Sequence, residues 1–340
     1  MDKLVLFNDN KLKSLLSKRP KESKFGEHIK LLTSVSNIYE QLISLDVNYV
    51  LIGLPEDVGV FANYGKSGTS TTFNAVIKVL LNTQSNQFTH ANKVLVLGHL
   101  DFNEELEKLK NLDQTKSKDI AKARKMVQKI DKHVSNLVHT IVKSGKIPII
   151  IGGGHNNAYG NIKGSSLALN TSVNVVNFDA HTDFREEEGR HSGNGFSYAF
   201  AEGFLHNYFI FGLHENYNSE NILNQIAKQK RIDFNTFEAI AVRRELKFKK
   251  EMERALKHVS GKPFGIEIDC DAVENIPSSA MTPSGFSVTK ARTFIDYFAK
   301  HKNATYIHIC EAVATPENET QVGKLISYFI TDFIRANTTK

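Results

Sequence analysis

Along the chain, short apolar runs rich in β-branched residues alternate with longer stretches whose apolar positions recur every three to four residues. The runs read NYVLIGL, KVLVLGHL, IPIIIGGG, VNVVNFD, NYFIFGL, AIAV, FGIEIDCD and TYIHICE, of which AIAV is the weakest. Between them lie amphipathic segments such as Lys118 to Ser144, where Ile120, Ala123, Met126, Val127, Ile130, Val134, Val138 and Ile141 form a stripe of period 3.6. That stripe reads as the core-facing side of a helix. Near-continuous apolar strands alternating with helices predict an α/β fold with a mostly parallel sheet of about eight strands, covered on both faces. The first 46 residues look helical and charged, so an N-terminal helical arm is expected at 1–46 and the main domain at 47–340. No internal repeat, low-complexity segment or linker rich in Pro, Gly and Ser interrupts the pattern.

Composition narrows the function classes. The 340 residues carry 43 Lys and Arg against 37 Asp and Glu, a formal charge of +6. The basic residues are interleaved with acids, as in RRELKFKKEMERALK, which has the spacing of a solvated helix face. No nucleic-acid partner is therefore expected, although the excess could help draw in an anionic substrate. No apolar run approaches the roughly 18 residues of a membrane span. The opening MDKLVLFNDNKLKS places acids and lysines where a secretory signal has its apolar stretch, so the expected location is cytoplasmic. Two cysteines, Cys270 and Cys310, offer neither a disulfide framework nor a C-x-x-C site, and read as buried inert thiols.

The chemistry concentrates in VNVVNFDAHTDFR. Continued as a strand, this stretch would put Asp179, His181 and Asp183 on one face, an acidic cluster that is costly unless a cation sits within it. Two further motifs follow apolar runs, GGGHNN after IPIII and DCD after FGIEI. They add His155, Asp269 and Asp271. In open α/β sheets such strand ends converge on one crevice. Four carboxylates and two imidazoles suit a pair of hard or borderline divalent cations, Mn²⁺ before Fe, Co or Ni, and the absence of thiolate ligands argues against structural zinc. Two such ions sharing a water would lower its pKa towards neutrality. Each motif alone has an ordinary structural explanation; their co-occurrence at three strand ends is what points to a metal site.

The order GGGH, DAHTD, DCD and the acidic strand end CEAV resembles the ureohydrolase family of arginase, agmatinase and formimidoylglutamase, over about residues 47 to 335. The resemblance implies a three-layer α/β/α sandwich, two Mn²⁺ per chain held by His155, Asp179, His181, Asp183, Asp269 and Asp271, and hydrolysis of a C–N bond in a formimino or guanidino substrate. It also implies a homo-oligomer and a small-molecule substrate, with catalytic roles for Asp183 and for Glu311, which would pair with the cationic amidine. Asp183 would orient the attacking water.

Within that family the chain looks most like the formimidoylglutamases, which convert N-formimidoyl-L-glutamate to L-glutamate and formamide in histidine degradation. Gly154 precedes His155 where arginases carry Asp. Arg185 stands where arginases carry an Asn for the substrate carboxylate, and Phe196 stands where they carry a proton-shuttling His. Arg185, Arg190, His191, Ser192, Asn194 and Asn218 are the expected substrate contacts, Arg185 being equally readable as a surface partner of the acids after it. Asn63, Gly65 and Gly68 in GLPEDVGVFANYGKSGT would shape the rim. Other features lean elsewhere, since Thr182 is closer to arginase and agmatinase, and EAVAT departs from the family's usual E-V-N-P. Agmatinase, arginase, another guanidino-acid hydrolase and a non-catalytic metal-binding relative are the alternatives. Loss of any of the six ligands would favour the last, and none is lost.

Overall fold

The structure, a computed structural model, describes residues 2–338. Among them, nine strands form one sheet: β1 (Leu4–Leu6), β2 (Tyr49–Gly53), β3 (Val94–Leu100), β4 (Ile147–Ile151), β5 (Val173–Phe178), β6 (Leu205–Leu213), β7 (Ile232–Thr236), β8 (Phe264–Asp269) and β9 (Ala304–Cys310). Their order is β1-β3-β2-β4-β9-β8-β5-β6-β7, parallel throughout except where β1 runs antiparallel to β3.

Both faces of the sheet are buried, which is why the central strands read as unbroken apolar runs. Alternation within each strand separates two cores. Val50, Ile52, Leu95, Leu97, Ile150 and Val175 pack under the helices Ser117–Lys143 and Asn157–Leu169. Leu51, Val94, Val96, Ile149, Ile151, Val176 and Phe178 pack under the helices Thr72–Leu80, Phe248–Val259, Val288–Ala299 and Glu319–Thr338. The result is the three-layer sandwich. In the helix Ser117–Lys143 the whole expected stripe is buried, Met126 partly and the rest fully, and all of it but Ile120 packs in that core.

Two strands differ from expectation. AIAV is not a strand but lies in a π-helical turn, Glu238–Val242, and the sixth parallel strand is the preceding IDFNT. This is an edge strand, only partly buried, so it alternates apolar with polar residues and shows no continuous run. The N-terminal segment has the helices Asp9–Leu15 and Ile38–Ser44, yet Leu4–Leu6 pairs with Gly98–Leu100 and extends the sheet. Three residues are too few to show a period. Among the described residues no helix is long and apolar enough to cross a membrane.

The strand order positions the site. After β4 the chain passes over the positions later filled by β9 and β8 to reach β5, so winding reverses near the middle of the sheet. The loops after β4, β9, β8 and β5 then open onto one crevice at the carboxyl ends.

Candidate metal centre and substrate cavity

Each of those four loops delivers polar side chains. Gly152 and Gly153 follow β4 with φ of +87° and +72°, a turn that suits residues lacking Cβ. A Cβ on Gly153 would lie 2.8 Å from the Leu54 carbonyl oxygen. The turn is braced by Glu56, a buried carboxylate accepting from Gly59 N (3.1 Å), Gly154 N (3.0 Å) and Asn157 Nδ2 (2.8 Å). His155 comes next. β5 ends at Phe178, so Asp179, His181 and Asp183 lie on the loop beyond it and not on a continuing strand. Asp183 there has φ of +44° and Glu311, just past β9, +62°. Such backbone is uncommon for non-glycine residues and persists where surrounding contacts over-determine it. Asp269 closes β8 and accepts from the Asp271 N–H at 2.9 Å.

All six expected ligands come together. His155 Nδ1 faces Asp183 Oδ2 at 2.9 Å, Asp269 Oδ2 at 3.1 Å and Asp179 Oδ2 at 3.3 Å. His181 Nδ1 faces Asp271 Oδ2 at 3.4 Å and the other oxygen of Asp179 at 3.7 Å. Two groups of potential ligands result, His155, Asp179, Asp183 and Asp269 in one and Asp179, His181 and Asp271 in the other. Asp179 belongs to both. Asp271 Oδ1 is buried without a hydrogen-bond partner.

The electrostatics show a surplus of negative charge out of contact with water. Burial, with Asp179 as a like-charged neighbour, pushes Asp183 up to about 6. Burial and the charges of Asp271 and Asp179 push Asp269 well above the usual carboxylate range. Burial raises Glu311 to about 8. For Asp179 burial acts upward as well, but hydrogen bonds from His155 and His181 outweigh it and hold the group low. Both histidines are pulled well above their ordinary value despite burial, because carboxylates and other anionic neighbours surround them. The cluster gathers protons because it lacks positive charge, and a pair of divalent cations would supply that charge. An all-oxygen-and-imidazole donor set with converging lone pairs fits Mn²⁺.

A cavity of about 540 Å³ opens over this cluster, lined by His181, Asp183, Asp269, Asp271 and Glu311 on its floor. A larger groove of about 780 Å³, between the N-terminal segment and the helices Thr72–Leu80 and Glu319–Thr338, contains none of these groups. Glu311 accepts from His155 N at 2.6 Å and from the Ser279 hydroxyl. Arg185, Ser192 and Asn218 line the cavity wall as expected, with Asn63 and Gly65. Arg185 is half exposed, donating from Nη1 to Asn63 Oδ1 (2.9 Å) and from Nη2 to Glu188 Oε1 (3.3 Å), so it pairs with one of the acids that follow it while standing on the cavity wall. Asn218 donates from Nδ2 to the carbonyls of His214 (2.8 Å) and Ala180 (3.2 Å).

Three expected contacts do something else. Arg190 is buried between the rings of Tyr159 and Tyr198 and pairs with Asp131 at 2.9 Å. It also donates to Asn194 Oδ1 at 2.5 Å, so its guanidinium is committed to holding the loop. Asn194 completes that brace by donating to Gly189 O at 2.8 Å. His191 accepts from Gly193 N at 3.1 Å, and burial with three nearby arginines pushes it down to about 3. Neither Arg190 nor His191 lines the cavity, the guanidinium being committed within the loop and the imidazole enclosed beside Glu188 at 3.3 Å. Phe196, too, turns inward, edge-on to His155 with ring centres 5.1 Å apart, leaving no proton-carrying side chain at that position. Sequence reasoning missed Tyr217, whose ring stacks on His181 at 5.4 Å, and Ser279. Tyr217 ends a single 3-10 turn, Glu215–Tyr217, and Ser279 sits in a turn of the loop after β8, and neither segment has a periodic signal.

The arginase family profile matches residues 47–333. A formimidoylglutamase of Streptococcus pyogenes is 27% identical over 297 residues, covering 83% of each chain. Among solved structures, formimidoylglutamase from Bacillus subtilis superposes with a TM-score of 0.74 at 18% identity, covering 94% of this chain and 93% of that one. Trypanosoma cruzi formiminoglutamase with Mn²⁺ gives 0.67 at 19% identity, covering 87% and 97%. A hypothetical agmatinase from Burkholderia thailandensis gives 0.66 at 16%, covering 86% and 87%.

Proposed function

The chain belongs to the arginase family, and from that premise we propose that it is a manganese-dependent hydrolase of N-formimidoyl-L-glutamate, releasing L-glutamate and formamide. The observation that carries this reading is the juxtaposition, in one cavity, of two ligand groups sharing Asp179 with the guanidinium of Arg185 on the wall above them. The naming of the Streptococcus pyogenes relative supports the same substrate. His155, Asp179, Asp183 and Asp269 would hold one ion and Asp179, His181 and Asp271 the other. Bound there, the pair supplies a water of lowered pKa and a positive field over the amidine carbon.

The protein's own groups divide the remaining work. Glu311, fixed by His155 N and Ser279, presents its carboxylate to an amidine N–H and favours the cationic form of the group under attack. Asp183, on the cavity floor, accepts a proton from the attacking water and returns it to the substrate nitrogen that leaves as the glutamate amine. One C–O bond forms and one C–N bond breaks. Arg185 faces the carboxylate end of the substrate, held in place by Asn63.

Agmatine is the instructive competitor. It is cationic at both ends, so Arg185 would repel it. Replacing Arg185 with Ala is expected to raise KM for N-formimidoyl-L-glutamate roughly 5- to 30-fold, about 1–2 kcal/mol for a charged hydrogen bond at a half-exposed site, with kcat nearly unchanged. Any turnover of agmatine should hold or rise. Steady-state kinetics on both substrates check this, and an unchanged KM would remove Arg185 from substrate recognition.

A further inference from the structure

Beneath the metal cluster, on the side away from the cavity, lies a second polar group that the proposed reaction does not use. Glu267, His308 and Tyr306 are buried, side by side on β8 and β9, with Glu267 paired in register to His308. A carboxylate in the middle of a central strand is costly to bury unless it is fully engaged. Glu267 is engaged. His308 donates from Nδ1 to its Oε2 at 2.6 Å, and the Tyr306 hydroxyl donates to its Oε1 at 2.8 Å. The tyrosine reaches it because its ring lies over Gly265, where a Cβ would sit 2.1 Å from a ring carbon.

The third neighbour is His155. Its Nδ1 is turned to the three aspartates, so Nε2 points the opposite way, buried and without a hydrogen-bond partner, 3.5 Å from Glu267 Oε2. A neutral imidazole carries its proton on one nitrogen only, and a ligand must leave the other free. A carboxylate behind the ring favours the Nε2–H tautomer, orients the ring and makes Nδ1 a stronger donor to a cation.

We propose that Glu267, held by His308 and Tyr306, is a positioning residue that accepts the Nε2 proton of His155 and so presents the Nδ1 lone pair to the first metal ion. The inference rests on the metal-hydrolase reading above. It explains why a strand that is otherwise apolar, FGIEID, carries an acid two residues before Asp269.

Titration of the apo chain with Mn²⁺ alone, following free Mn²⁺ by electron paramagnetic resonance, tests it without substrate. Wild-type protein should take up two ions. In Glu267→Gln one of the two should bind roughly 10- to 100-fold more weakly, while the other stays within about threefold. Tyr306→Phe, which keeps the ring, should shift the same ion in the same direction by less and carries the test if the first variant does not fold. A merely structural role would lower the melting temperature of the apo chain and leave both affinities of the folded variants within about twofold of wild type, which would overturn the proposal. Absence of Mn²⁺ uptake by wild-type protein would overturn the metal-hydrolase reading along with it.

Discussion

Alanine at His181 or at Asp269 is expected to abolish measurable turnover, a fall of roughly 10³-fold or more, because a correctly held divalent ion contributes several kcal/mol to transition-state charge. The two substitutions should differ in what they leave behind. His181 belongs only to the group with Asp179 and Asp271, and Asp269 only to the group with His155, Asp179 and Asp183. Each variant should therefore retain about one Mn²⁺ per chain in place of two, from opposite halves of the site. Metal analysis after desalting, paired with an activity assay, reads both quantities. A His181→Ala protein with wild-type kcat would show that the second group does not take part.

Glu311→Gln tests the charge that faces the amidine. The amide is nearly isosteric; its oxygen can still accept from the His155 N–H while its NH2 donates to the Ser279 hydroxyl, which can turn to accept, so the loop should stay in place. What disappears is a preorganised negative charge opposite the developing amidinium. A single such group is worth about 10²–10³ in kcat. Metal content should remain at the wild-type value, which separates this variant from the ligand substitutions. Loss of metal together with activity would instead make Glu311 part of the ligand set.

The three motifs were legible because each follows an almost wholly buried strand. The apolar run announces the strand, and a change to acid and imidazole at its carboxyl end has few other uses. The mode of convergence was less legible: Asp179, His181 and Asp183 come together through a tight loop with Asp183 at positive φ, and not through strand alternation. Edge elements were the hardest to read. β1 is too short to show a period, and β7 is half solvated, so the run AIAV beside it drew the strand assignment wrongly.

Within the RHSGN stretch, type and spacing could not say which way a polar side chain turns. Arg190 and Asn194 point into the protein because Asp131, two tyrosine rings and backbone carbonyls receive them there. Arg185 points to the cavity because Asn63 holds it. Asp131, Tyr159 and Asn63 lie far away in the chain, and only the fold reveals them. Glu267 leaves a clearer trace in the sequence, an acid within an otherwise apolar strand.

Whether this cavity hydrolyses an acidic formimino substrate with two Mn²⁺ ions is decided by incubating Mn²⁺-loaded wild-type protein separately with N-formimidoyl-L-glutamate, L-arginine and agmatine, and scoring formamide, urea and ammonia. Formamide and glutamate should appear in equal amounts from the first substrate, at a rate well above urea release from the other two. Faster release of urea, or ammonia in place of formamide, would contradict this assignment.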